Sequence, residues 1–473
     1  MNVIRLGVNS AQCTMLGLGL FCSAIAAAES PAAKKLAAKN VVVIIADDMG
    51  RTTGCYGDRN AVTPHIDALA AEGTRFENAF CTTASCSPSR SVILSGLYNH
   101  ANGQYGLAHA EHHFQSHAWV QGLPGLLKTA GYRTCLIGKF HVLPEANYEF
   151  EFKADQKIQG ARNAVRMADN AAAFIKQADP RPFFLYFSST DPHRAKQGYA
   201  NETEYPGVTP VKIDPAHIQV PPFLPDEPEV RQDLAEYYMS LARLDQGVGR
   251  LMQSLKDTGH DQDTLVIFMS DNGIPFPGAK TGQYEPGVRL PLICRMPGQK
   301  PGLVSAAMVT WADITPTILD LTGAKGPKYP LHGESFLKGI TDPAWSARET
   351  VFLSHTFHEV TMYYPMRTLR SAKYKYILNL ASGLPFPFAS DLYGSPTWQG
   401  VLKRDASSYG NRSRAALLQR PRIELYDLEA DPHELVNLAD QPAHAATVAR
   451  MNNELKEHQK RTQDPWILKH ERE

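Results

Sequence analysis

Neither sign of charge dominates this sequence. Its 473 residues carry 48 lysines and arginines against 48 aspartates and glutamates, so the formal net charge is zero at pH 7. Proteins that bind nucleic acid or an anionic membrane surface usually carry an excess of basic residues. The balance therefore excludes nucleic acid and anionic membranes as general partners, and any recognition of anions must be local to a few side chains.

Long hydrophobic runs are absent apart from one segment near the N-terminus. Arg5 supplies a positive charge, Met15–Ile25 is mostly apolar, and Ala26–Ala28 offers the small residues of a cleavage site. The apolar stretch is shorter than a transmembrane helix requires. A lipid anchor on Cys22 is the alternative, which the bulky residue before it disfavours. We predict a signal peptide over residues 1–28, no membrane span, and export to the periplasm or outside the cell.

Cysteines are few, and the closely paired spacing of a zinc site is absent. Two of the seven lie in the predicted signal peptide, and the others are Cys55, Cys81, Cys86, Cys135 and Cys294. In an oxidising compartment this odd number leaves at least one cysteine without a disulfide partner. If Cys86 is consumed by a modification, the other four can pair or stay buried, and both outcomes remain open.

What the chain does contain is an alternation of short apolar runs with helical patterns, and no internal repeat. The predicted buried strands are Val41–Ala46, Thr134–Ile137, Phe183–Ser188 and Leu265–Ser270. The predicted helices of this part include Ile66–Glu72, Leu123–Ala130 and Val230–Lys256. Wholly apolar strands separated by helices are typical of a parallel sheet covered on both faces. The sequence therefore predicts an α/β fold with a large, mostly parallel central sheet.

The pattern changes near residue 345, where we place a domain boundary. Shorter strands are predicted at Val351–Ser354, Thr368–Leu369 and Tyr374–Leu378, and a helix within residues 442–460. We expect a catalytic domain over residues 38–345 and a smaller C-terminal subdomain over residues 346–473, with an antiparallel sheet and a helix. A chain of this length, with 43% hydrophobic residues, can bury the cores of two such units.

The most informative motif is Cys86-Ser87-Pro88-Ser89-Arg90, followed by Leu94-Ser95-Gly96. We predict a helix that starts one step after Cys86, with Ser87 as its cap and Gly96 as its end. Free backbone amides and the helix dipole favour an anion at that position, and Arg90 adds a positive charge. A tetrahedral oxyanion suits this arrangement. A buried cysteine beside a structural arginine is the alternative for a cysteine taken alone.

Each of the four predicted parallel strands ends in polar residues. The four segments are Asp47-Asp48, Gly138-Lys139-Phe140-His141, Asp191-Pro192-His193 and Asp271-Asn272-Gly273. In open α/β sheets the ligand site lies beyond the carboxyl ends of the strands. Any one of these segments could be an ordinary turn, but together they predict a single crevice.

Four of these side chains offer only oxygen or amide ligands: Asp47, Asp48, Asp271 and Asn272. Oxygen ligands favour a hard cation, Ca²⁺ or Mg²⁺, over zinc. Two adjacent carboxylates at a buried strand end repel each other unless a cation lies between them. The alternative is that one of the two adjacent aspartates caps the next helix.

The remaining polar residues of the crevice can neutralise an anion or move a proton. Lys139 and His141 lie two residues apart, so an extended backbone turns both to the same side. His193 offers a second proton carrier, and Lys280 follows Gly273 with a further positive charge. Taken singly, each could be a solvated lysine or a buried histidine with a structural role.

These motifs resemble those of the type I, formylglycine-dependent sulfatases over nearly the whole mature chain. The C-terminal Glu424-Leu425-Tyr426-Asp427 and Asp431-Pro432-His433-Glu434 match a common ending of that family. Several longer stretches are similar to the sulfamidase branch, the heparan N-sulfatases: Asn102–Leu107, His112–Phe114, Asp271–Pro277, His358–Met362, Tyr364–Arg367 and Leu384–Phe388. The resemblance implies the alkaline-phosphatase-superfamily fold. One departure is Lys280, where sulfamidases carry arginine and other sulfatases carry lysine.

The resemblance also implies the chemistry. Cys86 would be oxidised to formylglycine by a formylglycine-generating maturation enzyme, and its hydrate would be the nucleophile. One Ca²⁺, with Mg²⁺ as the alternative, would be held by the oxygen ligands above and by residue 86. Asp271 would be the base and His193 the acid for the leaving group, with His141 assisting sulfate release. Arg90, Lys139 and Lys280 would spread the charge on the sulfuryl oxygens.

The implied substrate is a sulfated saccharide, and the N-sulfate of glucosamine in heparan- or heparin-type glycans is the first choice. We hypothesise that His358, Glu359 and Arg367 contact the sugar, with His112 and His113 nearby; domain packing is the alternative for all five. The competing functions are an O-sulfatase acting on another glycan or an aryl sulfate, a phosphoester or phosphonate-ester hydrolase, and a silent binder of sulfated glycans. The oligomeric state stays open, a homo-oligomer included.

Overall fold

The computed structural model describes residues 38–157 and 160–472, so the predicted signal peptide lies outside the described residues. The strands are β1 (Asn40–Ala46), β2 (Thr74–Phe80), β3 (Arg133–Gly138), β4 (Phe152–Ala154), β5 (Phe183–Ser188), β6 (Thr264–Ser270), β7 (Leu292–Arg295), β8 (Leu303–Thr310), β9 (Thr350–His355), β10 (Met366–Ser371), β11 (Tyr374–Asn379), β12 (Ser408–Tyr409), β13 (Arg412–Ser413) and β14 (Ile423–Asp427). The α-helices are α1 (Pro64–Glu72), α2 (Cys86–Ser95), α3 (Asn99–Asn102), α4 (Leu123–Thr129), α5 (Ala164–Ile175), α6 (Pro228–Asp257), α7 (Glu285–Val288), α8 (Ile314–Thr322), α9 (Leu337–Thr341), α10 (Ser390–Tyr393), α11 (Pro396–Lys403), α12 (Arg414–Leu418), α13 (Ala445–Arg461) and α14 (Ile467–Arg472).

Eight strands form the central sheet, in the order β4-β3-β5-β1-β6-β7-β2-β8. Every neighbouring pair is parallel except the two that involve β7, which runs antiparallel to β6 and β2. The four strands that the sequence predicted, β3, β5, β1 and β6, are neighbours in the middle of this sheet. This architecture confirms the predicted α/β class with a mostly parallel sheet.

Alternate side chains of the central strands enter two separate cores. Val41, Val43 and Ile45 of β1 belong to one cluster of buried apolar residues, whereas Val42 and Ile44 belong to the other. The long helix α6 covers the second cluster with an apolar face that includes the predicted Leu241, Leu244, Val248 and Leu251. Because both faces are covered, the strands are buried along their whole length and read as continuous apolar runs.

A second, four-stranded antiparallel sheet has the order β14-β11-β10-β9 and begins at Thr350. Helix α13 covers it through Met451 and Leu455, which join Leu369 and Tyr376 in a small core. The antiparallel C-terminal sheet confirms that part of the fold prediction, while the domain boundary near residue 345 stays a prediction, because the described residues form one compact unit. Among the described residues, no helix has the length and apolar character needed to cross a membrane.

Three histidines, of which His100 and His458 are buried and His332 is half-buried, surround Tyr98 next to α13. The ring of His458 stacks on Phe352 with centroids 3.6 Å apart and meets the edge of Tyr98 at 5.1 Å. His100 and His332 lie 5.7 and 5.4 Å from the same tyrosine ring. Burial lowers the pKa of His100 to about 3, of His332 to about 4 and of His458 to about 2. The folded protein therefore holds all three rings neutral at pH 5.

We expect the midpoint of thermal unfolding to fall as the pH drops from 6.5 to 4.5. The unfolded chain protonates these histidines below a pKa of roughly 6.5, whereas the folded chain does not, so the free energy of unfolding decreases with falling pH. Each histidine contributes at most about 1.4 kcal/mol per pH unit of that window. Calorimetry between pH 6.5 and 4.5 measures this dependence of the unfolding midpoint on pH, and the dependence should be weaker in His332→Gln. An unchanged slope in that variant would contradict the assignment.

Candidate active site

The carboxyl ends of four adjacent parallel strands bring the predicted residues together. Asp47 and Asp48 follow β1, Lys139 and His141 follow β3, and His193 follows β5 in the crevice, while Asp271 and Asn272 follow β6. The φ angle of Asp48 is 62°, in the left-handed region. An extended strand would point neighbouring carboxylates to opposite faces, and this backbone turn breaks that alternation. Both carboxylates therefore face one crevice.

Helix α2 supplies Cys86, and the local details differ from the prediction. The helix begins at Cys86 itself, with Ser85 as an extended N-cap residue whose side chain makes no cap hydrogen bond. The Ser87 hydroxyl instead accepts a hydrogen bond from the backbone N–H of Ala108 at 3.0 Å. The prediction that Ser87 caps the helix was therefore wrong, because this distant loop uses its hydroxyl. The predicted end at Gly96 is correct, with a φ of 68°.

The Cys86 sulfur is buried and lies 3.6 Å from Oδ1 of Asp48. Burial raises the pKa of the Cys86 thiol well above its usual value, although Lys139 and Lys280 oppose the change. The unmodified thiol is uncharged at neutral pH, and the thiolate needed for direct nucleophilic attack is scarce.

Three carboxylates are fully buried within this site. Oδ1 of Asp271 accepts hydrogen bonds from the backbone N–H groups of Asp48 at 3.0 Å and Asn272 at 2.8 Å. Burial, followed by the charge of Asp47, raises the pKa of Asp271 to about 7. Burial also acts to raise the pKa of Asp47, but Lys139, His193 and Arg90 outweigh it and hold that pKa well below its usual range.

The donor set fits a hard divalent cation. Oδ1 of Asp47 and Oδ1 of Asn272 are buried and have no hydrogen-bond partner within the described part of the chain. One ligand atom from each of Asp47, Cys86 and Asp271 can be found within 4.8 Å of one another, and the same holds for Asp48, Cys86 and His193. Orphaned buried oxygens are costly, and a cation among carboxylate and amide oxygens would satisfy them.

Fixed positive charges surround these acids. The Arg90 guanidinium donates from Nε to Oδ2 of Asp271 at 2.9 Å and lies 3.5 Å from Oδ1 of Asp47. Lys139 donates to the other oxygen of Asp47. Lys280 donates to Oδ2 of Asp48 at 2.8 Å. An anion that enters the crevice therefore meets three cations.

Two histidines lie at the mouth of the crevice. His193 places Nδ1 2.6 Å from the carbonyl oxygen of Arg194, while its Nε2 lies 3.3 Å from Nζ of Lys280 and 3.6 Å from Oδ2 of Asp48. Burial, followed by Lys280, lowers the pKa of His193. Burial and then Lys139 lower the pKa of His141 well below its usual value. Both rings are neutral at pH 7 in the free site and can accept protons.

The predicted substrate residues divide into two groups. Nδ1 of His358 lies 2.8 Å from the hydroxyl of Ser85, the neighbour of Cys86, so this histidine belongs to the crevice wall. Glu359 accepts hydrogen bonds from the backbone N–H and the hydroxyl of Ser390. Nδ1 of His112 accepts from the N–H of Val360, the residue after Glu359, at 3.3 Å. These contacts place His112, His358 and Glu359 on one wall, with the exposed His113 next to His112 in the chain.

Arg367 is a correction to the predicted substrate set. Its guanidinium forms two hydrogen bonds with the carboxylate of Asp464, at 2.5 and 2.9 Å, and also donates to the carbonyl oxygens of His355 and Met366. The side chain is 3% exposed, and its donors are used by Asp464 and by backbone carbonyl groups. Arg367 is therefore a buried structural residue rather than a substrate contact.

We expect Arg367→Ala to destabilise the fold by about 3–5 kcal/mol, because it leaves the Asp464 carboxylate buried and unpaired. KM for the saccharide should stay unchanged in the fraction that remains folded. Chemical denaturation and steady-state kinetics at a permissive temperature check the two parts. A KM that rises tenfold at unchanged stability would restore the original prediction.

Two further residues of the site were not predicted from the sequence. Asp391, on α10, places Oδ2 2.8 Å from Nζ of Lys280. Nδ1 of His109 lies in hydrogen-bond contact with Nε2 of His141. His109 stands close to the predicted pair His112 and His113, and this clustering was an available signal. Asp391 lies 111 residues from Lys280 along the chain, and nothing in its local sequence indicates the contact.

Comparisons with known proteins agree with this geometry. Residues 39–324 match the family model described as Sulfatase, and residues 279–382 match the model described as N-sulphoglucosamine sulphohydrolase, C-terminal. The chain is 40% identical over 461 residues to the human N-sulphoglucosamine sulphohydrolase, with 91% of each chain covered. It is 29% identical to an ulvan-active sulfatase of Formosa agariphila, over 85% of this chain and 76% of that protein.

Solved structures show the same fold at low sequence identity. One, a protein in complex with its substrate D-glucosamine-2-N,6-O-disulfate, aligns with a TM-score of 0.66 at 21% identity, over 90% of this chain and 99% of that one. A phosphonate monoester hydrolase of Agrobacterium radiobacter aligns with a TM-score of 0.65 at 19% identity, over 90% and 96% of the two chains. At these identities the likeness concerns the fold alone.

Proposed function

The chain belongs to the sulfatase family, and from this premise we propose that it removes the N-sulfate group of glucosamine in heparan- or heparin-type saccharides. The observation that carries the proposal is the identity of 40% to the human N-sulphoglucosamine sulphohydrolase over 91% of the chain. The crevice geometry supports it, because a nucleophile position, buried acids and three cations lie around Cys86.

The nucleophile in this proposal is formylglycine, formed from Cys86 by a formylglycine-generating maturation enzyme. Its aldehyde adds water to give two hydroxyl groups on one carbon. One hydroxyl attacks the sulfur of the substrate, and Asp271 takes its proton. The S–N bond breaks as the new S–O bond forms, which leaves a sulfate ester on residue 86.

The nitrogen leaving group needs a proton, which His193 supplies through Nε2, the ring nitrogen that faces Lys280. The sulfuryl group brings negative charge beside this ring, and that charge favours its protonated form. His141 then takes the proton of the second hydroxyl, the C–O bond to sulfate breaks, and the aldehyde returns. Arg90, Lys139 and Lys280 stabilise the charge on the sulfuryl oxygens throughout.

The cation in this proposal is Ca²⁺, with Mg²⁺ as the alternative, held by Asp47, Asp48, Asp271, Asn272 and residue 86. A bound divalent cation acts as a Lewis acid on sulfuryl oxygens and lowers the pKa of a nearby hydroxyl group. The orphaned oxygens of Asp47 and Asn272 support this ligand set.

The cellular setting belongs to the same proposal. The signal pattern over residues 1–28 supports export to the periplasm or outside the cell, where sulfated glycans are available to the enzyme. The maturation enzyme is its transient partner, and a homo-oligomer remains compatible with the sequence.

An O-sulfatase is the second candidate, and Lys280 favours it, since lysine at this position resembles sulfatases other than the sulfamidases. Sulfate release from N-sulfoglucosamine, glucosamine 6-sulfate, p-nitrophenyl sulfate and a phosphonate monoester separates the candidates when the enzyme is produced with a formylglycine-generating partner. We expect N-sulfoglucosamine to give the highest kcat/KM. A preference for either O-sulfate would support the second candidate and contradict the first, while no release from any substrate would favour a binding protein.

A further inference from the structure

Asp391 enters the active site from the short helix α10 and contacts two groups that face the leaving group. Its Oδ2 lies 2.8 Å from Nζ of Lys280 and 4.0 Å from Nε2 of His193. Lys280 holds a second bond of 2.8 Å to Oδ2 of Asp48, whose other oxygen lies 3.6 Å from the Cys86 sulfur. Asp391 therefore lies on the His193 side of the crevice, where the departing atom must receive its proton.

The short helix that carries Asp391 is firmly held. The neighbouring Ser390 donates from its backbone N–H and its hydroxyl to Oε1 of Glu359, at 2.8 and 2.6 Å. On the other side, Leu392 is fully buried in a small apolar cluster with Met362. Contacts on both flanks fix the direction of the carboxylate, so its position is a property of the fold.

The second carboxylate oxygen of Asp391 differs from the first in its surroundings. Oδ1 is buried and makes no hydrogen bond within the described part of the chain. Burial acts to raise the pKa of Asp391, but Lys280 and the histidines beside it outweigh burial and hold the pKa well below its usual value. A buried, ionised oxygen without a donor carries a desolvation cost that a bound ligand with an N–H group would remove.

We propose that Asp391 is the residue that selects nitrogen over oxygen as the leaving atom, with Oδ1 accepting a hydrogen bond from the N–H of the sulfamate. This inference rests on the proposed function. A sulfamate nitrogen carries a hydrogen, whereas the bridging oxygen of a sulfate ester carries only lone pairs, which a carboxylate oxygen repels. Asp391 exchanges no proton in the step: His193 protonates the nitrogen, and the carboxylate stabilises the amine or ammonium that departs.

This assignment explains how a chain that resembles sulfamidases can carry Lys280, a residue that resembles other sulfatases. A lysine bound to both Asp48 and Asp391 uses its charge to hold two acids, and it serves a sulfamate and a sulfate ester equally well. The distinction between the two substrates then comes from the free oxygen of Asp391. The signal for N-sulfate specificity thus lies outside the segment that resembles other sulfatases.

The test compares two substrates that differ only in the leaving atom, N-sulfoglucosamine and glucose 2-sulfate. In Asp391→Asn the amide retains the shape of the side chain, and its N–H₂ group can donate to an ester oxygen. We expect kcat/KM for N-sulfoglucosamine to fall between about tenfold and a hundredfold. The value for glucose 2-sulfate should change by less than about threefold or rise. Asp405→Asn, at an exposed aspartate that forms an ion pair with Arg414, is the matched control.

Equal losses on both substrates would overturn the proposal, because Asp391 would then act only by positioning Lys280. A wild-type enzyme that releases no sulfate from N-sulfoglucosamine but does so from an O-sulfate would instead contradict the proposed function. Titration calorimetry with the two product sugars measures binding without turnover. The wild type should bind glucosamine more tightly than glucose, and Asp391→Asn should lose that preference. Equal affinity of the wild type for the two sugars would also overturn the proposal. Thermal unfolding of each variant is the control that checks whether it is folded.

Discussion

Cys86→Ala should abolish sulfate release, with kcat/KM at least about a thousandfold below that of the wild type. The side chain lies at the first residue of α2, 3.6 Å from Asp48, and no other nucleophile of the described chain shares that position. Ion chromatography of released sulfate measures the effect. Cys294→Ala is the matched control, since Cys294 is an equally buried cysteine on β7, away from the crevice.

Cys86→Ser separates the formylglycine mechanism from a simple nucleophile. A serine hydroxyl can take the sulfuryl group, but it lacks the second hydroxyl whose proton loss expels sulfate. We expect intact-protein mass spectrometry to show a stable adduct of one sulfuryl group after incubation with N-sulfoglucosamine, and no sustained turnover. Repeated turnover by Cys86→Ser, or full activity of a wild-type sample whose residue 86 is entirely thiol, would contradict the mechanism.

Asp48→Asn should lower kcat/KM by about a hundredfold or more and remove the thermal stabilisation by Ca²⁺. In the wild type, Ca²⁺ at a hundred times its dissociation constant adds about 2.7 kcal/mol to the free energy of unfolding. Chelation should therefore lower the unfolding temperature of the wild type, because three buried carboxylates then repel each other without a cation. Asp48→Asn carries one negative charge fewer, so both Ca²⁺ and the chelator should shift its unfolding temperature much less.

Differential scanning fluorimetry with and without Ca²⁺, Mg²⁺ and a chelator measures these shifts. Asp320→Asn is the control, because Asp320 is exposed on α8 and lies in the same chain without contact to the crevice. An unfolding temperature that neither cation nor chelator changes would contradict the metal site, whatever the activity of the variant. A Ca²⁺ response of wild-type size in Asp48→Asn would remove Asp48 from the ligand set.

The four middle strands of the central sheet could be predicted from the sequence because they are buried on both faces. Val41–Ala46 and Leu265–Met269 are unbroken apolar runs, and runs of this kind are typical of parallel strands. By contrast, β2 reads Thr-Arg-Phe-Glu-Asn-Ala-Phe, with polar residues interleaved. It pairs with β7 and β8 towards one edge of the sheet, where partial exposure permits such residues, and its pattern does not predict a buried strand.

Substrate contacts were harder to predict than the residues at the strand ends. Arg367 is the last residue of a stretch that resembles sulfamidases, and a resemblance does not distinguish a residue that contacts the sugar from one that holds the fold together. The buried Asp464, 97 residues away, made that distinction. The sequence predicted a sugar contact for Arg367, whereas the structure shows a buried ion pair with Asp464.

The sequence alone determined the α/β class, the four polar strand ends and the Cys86 motif, because apolar runs and local motifs depend on residues that are neighbours in the chain. Only the tertiary structure decided that Asp391 meets Lys280, that His109 meets His141, and that Arg367 is closed off by Asp464. Those contacts join segments separated by 32 to 111 residues along the chain, and each depends on how the folded chain brings those segments together. Short stretches of sequence show which residue types a site can contain, whereas the packing of the whole fold decides which distant side chains come into contact.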